Sequence, residues 1–300
     1  MNLGQEKRAG FTLIELLVVI AIIVILASLT AAVLPNLRNR QRASQGAAQV
    51  QGWLLEAKEW ALRDQAPRGL RLIDPGPPNH LVTTLQYIEQ PADLIGGQIT
   101  FNNTTATDAK TDFSGGFASA NDPTLWPVQK GDYLEVDGQN QLFGIAAVPN
   151  TTTLTLTNAP VPPAATFSGY RIIRGARVRV GETPLQMSSD VAIDLNTNGW
   201  YGNPLPYNPN IPNYVDIMFA PSGTVLVPGA GNDKIQLWVR DTSQDQPGTQ
   251  TFSGDQTLIT VYIRTGRVAP NPVDVTLNPN NNNQYFHPYA FTWDGLTSSP

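Results

Sequence analysis

The 300-residue sequence contains no cysteine, which excludes disulfide bonds, cysteine-ligated zinc and a thiol nucleophile together. The compartment stays open, because an exported domain with a sufficient core needs no staple. Histidine is nearly absent too: only His80 and His287 occur. Neither has a partner motif nearby, so both read as surface residues rather than as parts of a metal site or a Ser-His-Asp triad. No glycine-rich stretch has P-loop spacing, which argues against nucleotide hydrolysis. Charge is scarce at 14% of residues, with a net charge of −5. It is also unevenly placed. Residues 1–74 carry nine Lys/Arg against six Asp/Glu, whereas the remainder carries ten against eighteen. An acidic body on a basic stem does not suit nucleic acid, whose phosphates call for clustered Lys/Arg.

What is plentiful is apolar and turn-forming. Hydrophobic residues make up 41%, with 25 Gly and 25 Pro, the balance of a β- and loop-rich body rather than a helical bundle. The length allows two modules and an anchor. From Leu16 to Leu34 the chain runs LLVVIAIIVILASLTAAVL without a charge, long enough as a helix to cross the hydrocarbon layer. A cleaved secretory signal fits this run poorly, because it exceeds the usual apolar region and lacks a clear small-x-small site. An uncleaved signal anchor leaves Glu15 without a purpose, since an unpaired carboxylate in lipid is costly.

The segment KRAGFTLIELLVVIAIIVILASL, beginning at Lys7, resembles the class III signal of type IV prepilins and pseudopilins. The resemblance implies a leader of residues 1–10, cut by prepilin peptidase between Gly10 and Phe11, with N-methylation of the new terminus at Phe11. It also implies that Glu15 is an assembly residue. The chemistry is coherent, because cleavage creates an α-amine on Phe11 that the Glu15 of a neighbouring subunit could neutralise, and a buried carboxylate is tolerable when paired. Arg38, Arg40 and Arg42 follow the apolar run, so counting basic residues favours neither orientation. The resemblance places the leader in the cytoplasm.

Beyond the anchor, Ala43, Ala47, Val50, Leu54, Ala57 and Ala61 recur every three or four residues, the stripe of an amphipathic helix. Leu55 and Trp60 broaden it, and Pro35 is expected to kink or loosen the helix locally. The pattern predicts a helix from about Thr12 to Asp64, ending before Pro67, with the anchor over about 11–35 and an amphipathic stem over 36–66. After Pro67 the period shortens. Strand-like runs include Gly69–Ile73, Tyr133–Val136, Leu142–Val148, Thr153–Thr157, Tyr170–Arg174, Val191–Leu195, Val215–Phe219, Ile235–Val239 and Thr257–Ile263. Gly, Pro, Asn and Asp clusters separate them, with turn sites at Asp137-Gly138 and Ser222-Gly223.

The stem ending LLEAKEWALRDQAPRGLRL, followed by VDIMFAPSGTVL, DKIQLWVRDT and QTLITVYIRTGRV, is similar to the GspH/FimT group of minor pseudopilins and minor pilins. Phe219, Pro221, Gly223, Gly266 and Arg267 match that group's turn and closing strand. The expected fold is therefore α+β: a long N-terminal transmembrane and amphipathic helix packed on an antiparallel β body over 67–268. A small all-β module is inserted at about 74–167, and an Asn/Pro-rich extension fills 269–300.

Two constellations weigh less. Asp194 to Gly199, DLNTNG, opens like a calcium-binding EF-hand loop, but Leu205 stands at the closing position and no helix flanks it, so it reads as a polar turn. Trp200, Tyr201, Tyr207 and Tyr214 sit among Pro and Asn, where turn packing is the commoner role. No catalytic, cofactor or metal residues emerge. The resemblance implies a non-enzymatic filament subunit, of a type II secretion pseudopilus or a type IV pilus. It would be a single-pass protein of the inner membrane with its body in the periplasm or extracytoplasmic space. Its partners would be other pilins or pseudopilins, prepilin peptidase and the membrane. The alternative is a membrane-anchored surface binding protein, an adhesin or glycan binder, that uses a pilin-like anchor.

Overall fold

The computed structural model describes residues 13–76, 80–116, 125–197, 214–226, 233–243, 252 and 255–293, with backbone alone for 29–41 and 293. One long helix, α1 (Leu13–Asp64), carries an antiparallel β body, and a short helix, α2 (Ala290–Trp293), comes late in the chain. At 1.5 Å per residue α1 is about 78 Å long, and its backbone stays helical through Pro35. The helix ends where Gln65 turns into the left-handed region at φ 50°. The Gln65 side-chain amide donates to the Leu62 carbonyl at 2.6 Å, satisfying one of the orphaned acceptors of the last turn.

The two halves of α1 have different surroundings. Ala43, Ala47, Val50, Leu54, Ala57 and Ala61 are all buried, and four of the six are alanines, whose small side chains let helix and sheet approach closely. Trp60 is partly buried against Tyr87, ring centroids 4.5 Å apart. Leu55, expected to widen the stripe, is instead 39% exposed, because it lies about 100° round the helix from Leu54 and so falls off the buried stripe. From Leu13 to Leu26 the large apolar side chains are exposed. The apolar half with described side chains, Leu13–Ser28, spans about 24 Å, short of the roughly 30 Å hydrocarbon layer. Among the described residues no helix is long and apolar enough to cross a membrane, so the membrane-spanning part of the expected fold is carried by the sequence alone.

Two sheets receive the stripe. The first orders its main strands as Arg177–Val178, Thr84–Glu89, Arg68–Ile73, Tyr214–Phe219 and Val225–Leu226, with Leu185–Gln186 also paired to Thr84–Glu89. The second orders Arg267–Pro272, Gln256–Tyr262, Lys234–Asp241, Val191–Asp194 and Leu81–Val82. Alternation along Arg68–Ile73 buries Leu70 and Leu72 against the helix and turns Arg71 to the other face. Leu54 and Val50 share one core with Leu70, Ile217, Ile193, Leu237 and Ile259.

The stretch between Glu89 and Arg177 forms a third, eight-stranded antiparallel sheet from Leu94–Gly96 to Tyr170–Ile173. It has a separate core, including Phe101, Phe113, Phe143 and Ile172. Of the 74–167 segment read as an inserted module, Leu81–Val82 and Thr84–Glu89 pair into the helix-bearing sheets, while Tyr170–Ile173 pairs into the third sheet. Asp108 anchors this module. Burial pushes its carboxyl upward, but hydrogen bonds from Thr111, the Lys110 amide and the Tyr170 hydroxyl outweigh it and hold the pKa below the usual range.

The Asn/Pro-rich segment after Val268, read from the sequence as a C-terminal extension, is folded as far as Trp293. It completes the second sheet, makes a Leu277–Asn278/Asn281–Tyr285 ribbon and ends in α2. Its physical reason is the outer face of the second sheet, where Trp238 and Leu258 project away from the helix. Val273, Tyr285 and Tyr289 cover them, with Trp238 and Tyr285 stacked at 6.1 Å. Covered on both faces, the strand Lys234–Asp241 is buried from Ile235 onward.

Candidate functional site

The processing residues inferred from the sequence, Gly10 and Phe11, lie outside the described residues. Glu15 is described. It occupies the first turn of α1, where a negative charge suits the positive end of the helix dipole. It is solvent-exposed and groups with Ile14, Val18 and Val19. The body lies far along the helix, whose first buried position among the described side chains is Ala43, so no part of the described β body covers this segment.

The residues matching the closing turn and strand converge on one joint. Ala220 and Gly223 close a turn, the Gly223 amide donating to the Ala220 carbonyl at 2.8 Å. Gly223 and Gly266 both adopt positive φ, 81° and 57°. A Cβ on Gly266 would stand 1.8 Å from the Gly223 carbonyl oxygen, so the two turns can meet only through glycine. The Lys58 ammonium of α1 caps the joint by donating to the carbonyls of Thr265 and Gly266, at 3.1 and 2.9 Å. The Val225 amide donates to the Ile263 carbonyl at 2.9 Å, linking the two helix-bearing sheets. These residues therefore fix how the helix sits on the body.

Other sequence-level candidates resolve into structural contacts. Asp194 ends a strand with its carboxylate against Arg240, Nε to Oδ2 2.7 Å, in a buried ion pair. Burial pushes its pKa up, against the lowering pull of Arg240. Its other oxygen accepts from the Asn196 amide at 2.8 Å. This carboxylate is committed within the fold, and the rest of the calcium-like loop from Asn198 lies outside the described residues. His80, read as lacking a partner, has one: its Nδ1 lies 2.7 Å from Asp74 Oδ2, on a buried carboxylate that also accepts from the Gly76 amide. The signal was available as an aspartate six residues upstream across a Pro/Gly-rich turn. The pair closes a loop, with the His80 amide donating to the Gly76 carbonyl at 3.2 Å. His287 packs beside Phe286 with the rings tilted, centroids 4.0 Å apart. Trp200, Tyr201 and Tyr207 lie outside the described residues, while Tyr214 supports the Arg71 guanidinium at 3.8 Å.

Comparison with known proteins bears on the N-terminal segment. No curated protein matches the chain. Among solved structures, the phage phi92 endosialidase aligns at 13% identity and a TM-score of 0.20, over 67% of this chain and 34% of that one. The chain thus spans about a third of that protein's length, and a likeness this loose transfers neither fold nor activity. Residues 6–31 match the prokaryotic N-terminal methylation motif, a match that contains Gly10, Phe11 and Glu15.

Proposed function

We propose that this chain is a pilin-like precursor of the minor pseudopilin or minor pilin kind, cut between Gly10 and Phe11 by prepilin peptidase and built into a filament through its helix. The observation that carries the reading is the methylation motif over residues 6–31, which leads directly into a single 52-residue helix. A free helix half with apolar side chains exposed from Leu13 to Leu26 has to be covered by lipid or by other helices. A membrane before assembly and neighbouring subunits afterwards supply both. The work is structural rather than enzymatic, and the body is held outside the cytoplasm. The GspH/FimT affiliation rests on the Lys58–Gly223–Gly266 joint, in which the residues resembling that group's motif do a common geometric job.

Intact-mass and N-terminal analysis of the chain from native membranes tests the reading. The expected product begins at N-methylated Phe11, and Gly10→Val leaves the precursor uncut. A mature chain still beginning at Met1 would overturn processing. Glu15→Ala is expected to be processed but excluded from filaments. Normal incorporation of that variant would remove the assembly role.

A further inference from the structure

On the face of the first sheet opposite α1, at its seam with the third sheet, lies a cleft of about 730 Å³, a size that accommodates a small ligand or a short peptide. Its floor is Arg71 and Tyr214, and its walls come from the Gln129–Asp132 loop and the chain returning through Arg174–Val180. Cations and carboxylates both line it, but they are not equally occupied. Asp216 is taken up by Arg71 through two hydrogen bonds, 2.7 and 2.6 Å, the bidentate arrangement that saturates a carboxylate. Asp132, itself buried, accepts from Arg177 at 2.8 Å and from the amides of Gly175 and Gln129 at 2.8 and 2.9 Å. Glu89 is paired with Arg68.

The remaining cations are not so engaged. Arg174 donates its Nε to the Ala92 carbonyl at 2.7 Å. Among the described residues, no carboxylate lies within ion-pair distance of its terminal nitrogens or of Lys130. Burial and the neighbouring charge of Arg177 push the Arg174 pKa down, despite Asp132, Asp93 and Glu89 nearby. Positive charge at this wall is thus under-compensated.

A second feature lies on the same wall. Arg177–Val178 is an outer strand of the first sheet, and the Arg179 amide donates inward to the Tyr87 carbonyl at 2.9 Å. Antiparallel alternation then turns the peptide group of Val178 outward, before the chain turns at Val180 and Gly181. The side chains of Val178 and Val180 line the cleft and are exposed, Val180 to 93%. An outward peptide group beside exposed apolar side chains offers one backbone contact and an apolar surface to an extended chain.

We propose that this cleft binds an extended acidic peptide segment of a partner protein, which hydrogen-bonds the outward peptide group of Val178, packs on the Val180 side chain and sets carboxylates against Lys130 and Arg174. A peptide supplies both a backbone partner for Val178 and the carboxylates for the cations, whereas an acidic glycan supplies only the second. The site is on the body and does not depend on processing at Gly10.

Fluorescence anisotropy with the full chain in detergent and a dye-labelled eight-residue peptide of alternating Glu and Val tests it. Binding is expected to weaken at least tenfold for Lys130→Glu and for Lys130→Ala/Arg174→Ala, and to fall as salt rises. Because Lys130 is exposed, Lys130→Glu keeps the test sound if the double variant misfolds. The same peptide N-methylated at alternate amides should lose binding in the register that faces the edge, while a Gln/Val peptide should bind weakly. Equal binding of the Gln and Glu peptides, indifference to Lys130→Glu, or preference for an acidic oligosaccharide over the peptide would each overturn the proposal.

Discussion

At Gly266 a single methyl group is enough to separate the two sheets that carry the helix. Its φ of 57° makes any L side chain strained, by about 1–2 kcal/mol. The added Cβ would also fall 1.8 Å from the Gly223 carbonyl, and neither backbone can move without loosening Lys58. Gly266→Ala should therefore destabilise the full chain by more than the backbone term alone, about 2–4 kcal/mol by comparison with other strained-backbone substitutions. A denaturant midpoint unchanged from the parent would show that the joint is not a constraint on the fold. Asp194 teaches the opposite lesson about single residues. In DLNTNG it resembles a calcium ligand, yet its position at a strand end next to Arg240 makes it half of a buried ion pair. Composition of a short loop could not separate those roles, since Arg240 is 46 residues away.

Along α1, the stripe positions translate periodicity into energy. Leu54 is fully buried and Leu55 is 39% exposed, although they are adjacent and chemically identical. Leu54→Ala should cost about 2–5 kcal/mol, the usual range for a large-to-small change in a core, and Leu55→Ala within about 0.5 kcal/mol, as for most surface changes. Urea unfolding of the full chain in detergent measures both. Similar losses at the two positions would mean that the helix is rotated relative to the sheets. The stem helix was legible because its repeat is long and Pro67 marks its end. Strands such as Tyr133–Val136 and Lys234–Asp241 were legible as β-branched and aromatic runs. Thr84–Glu89 was not, because TLQYIE mixes polar and apolar residues and becomes a central strand only through partners on both sides. Asn281–Tyr285 was hidden for a related reason. Asn-rich sequence carries no strand signal, and its role depends on Tyr285 reaching Trp238 across the second sheet. The cleft was invisible to sequence because its residues extend from Arg71 to Asp216 and only pairing brings them together.

Taken as a whole, the molecule is a helix-bearing body with a module placed in one hairpin. Glu89 and Arg177 are directly paired neighbours in the first sheet, so the chain leaves and re-enters the body at adjacent points, and everything between them can be regarded as an enlarged turn. Two observations make the module separable in energy as well as in topology: its core shares no residue with the helix-bearing core, and the polar seam at Asp132 would depart with it. Removing residues 90–176 and joining Glu89 to Arg177 by Asn-Gly restores a simple hairpin, for which a two-residue turn of that type is favoured. Arg177 loses Asp132, but no buried carboxylate is left unpaired by the cut, because Asp132 goes too; Glu89 keeps Arg68. The excised chain should therefore unfold in one cooperative transition, close to the parent's body transition when followed by near-UV circular dichroism, and should enter filaments if its assembly is governed by α1. It should also lose the acidic-peptide binding assigned to the cleft. An excised chain that aggregates or melts without cooperativity would show that the third sheet is part of the body's stability rather than a passenger on it.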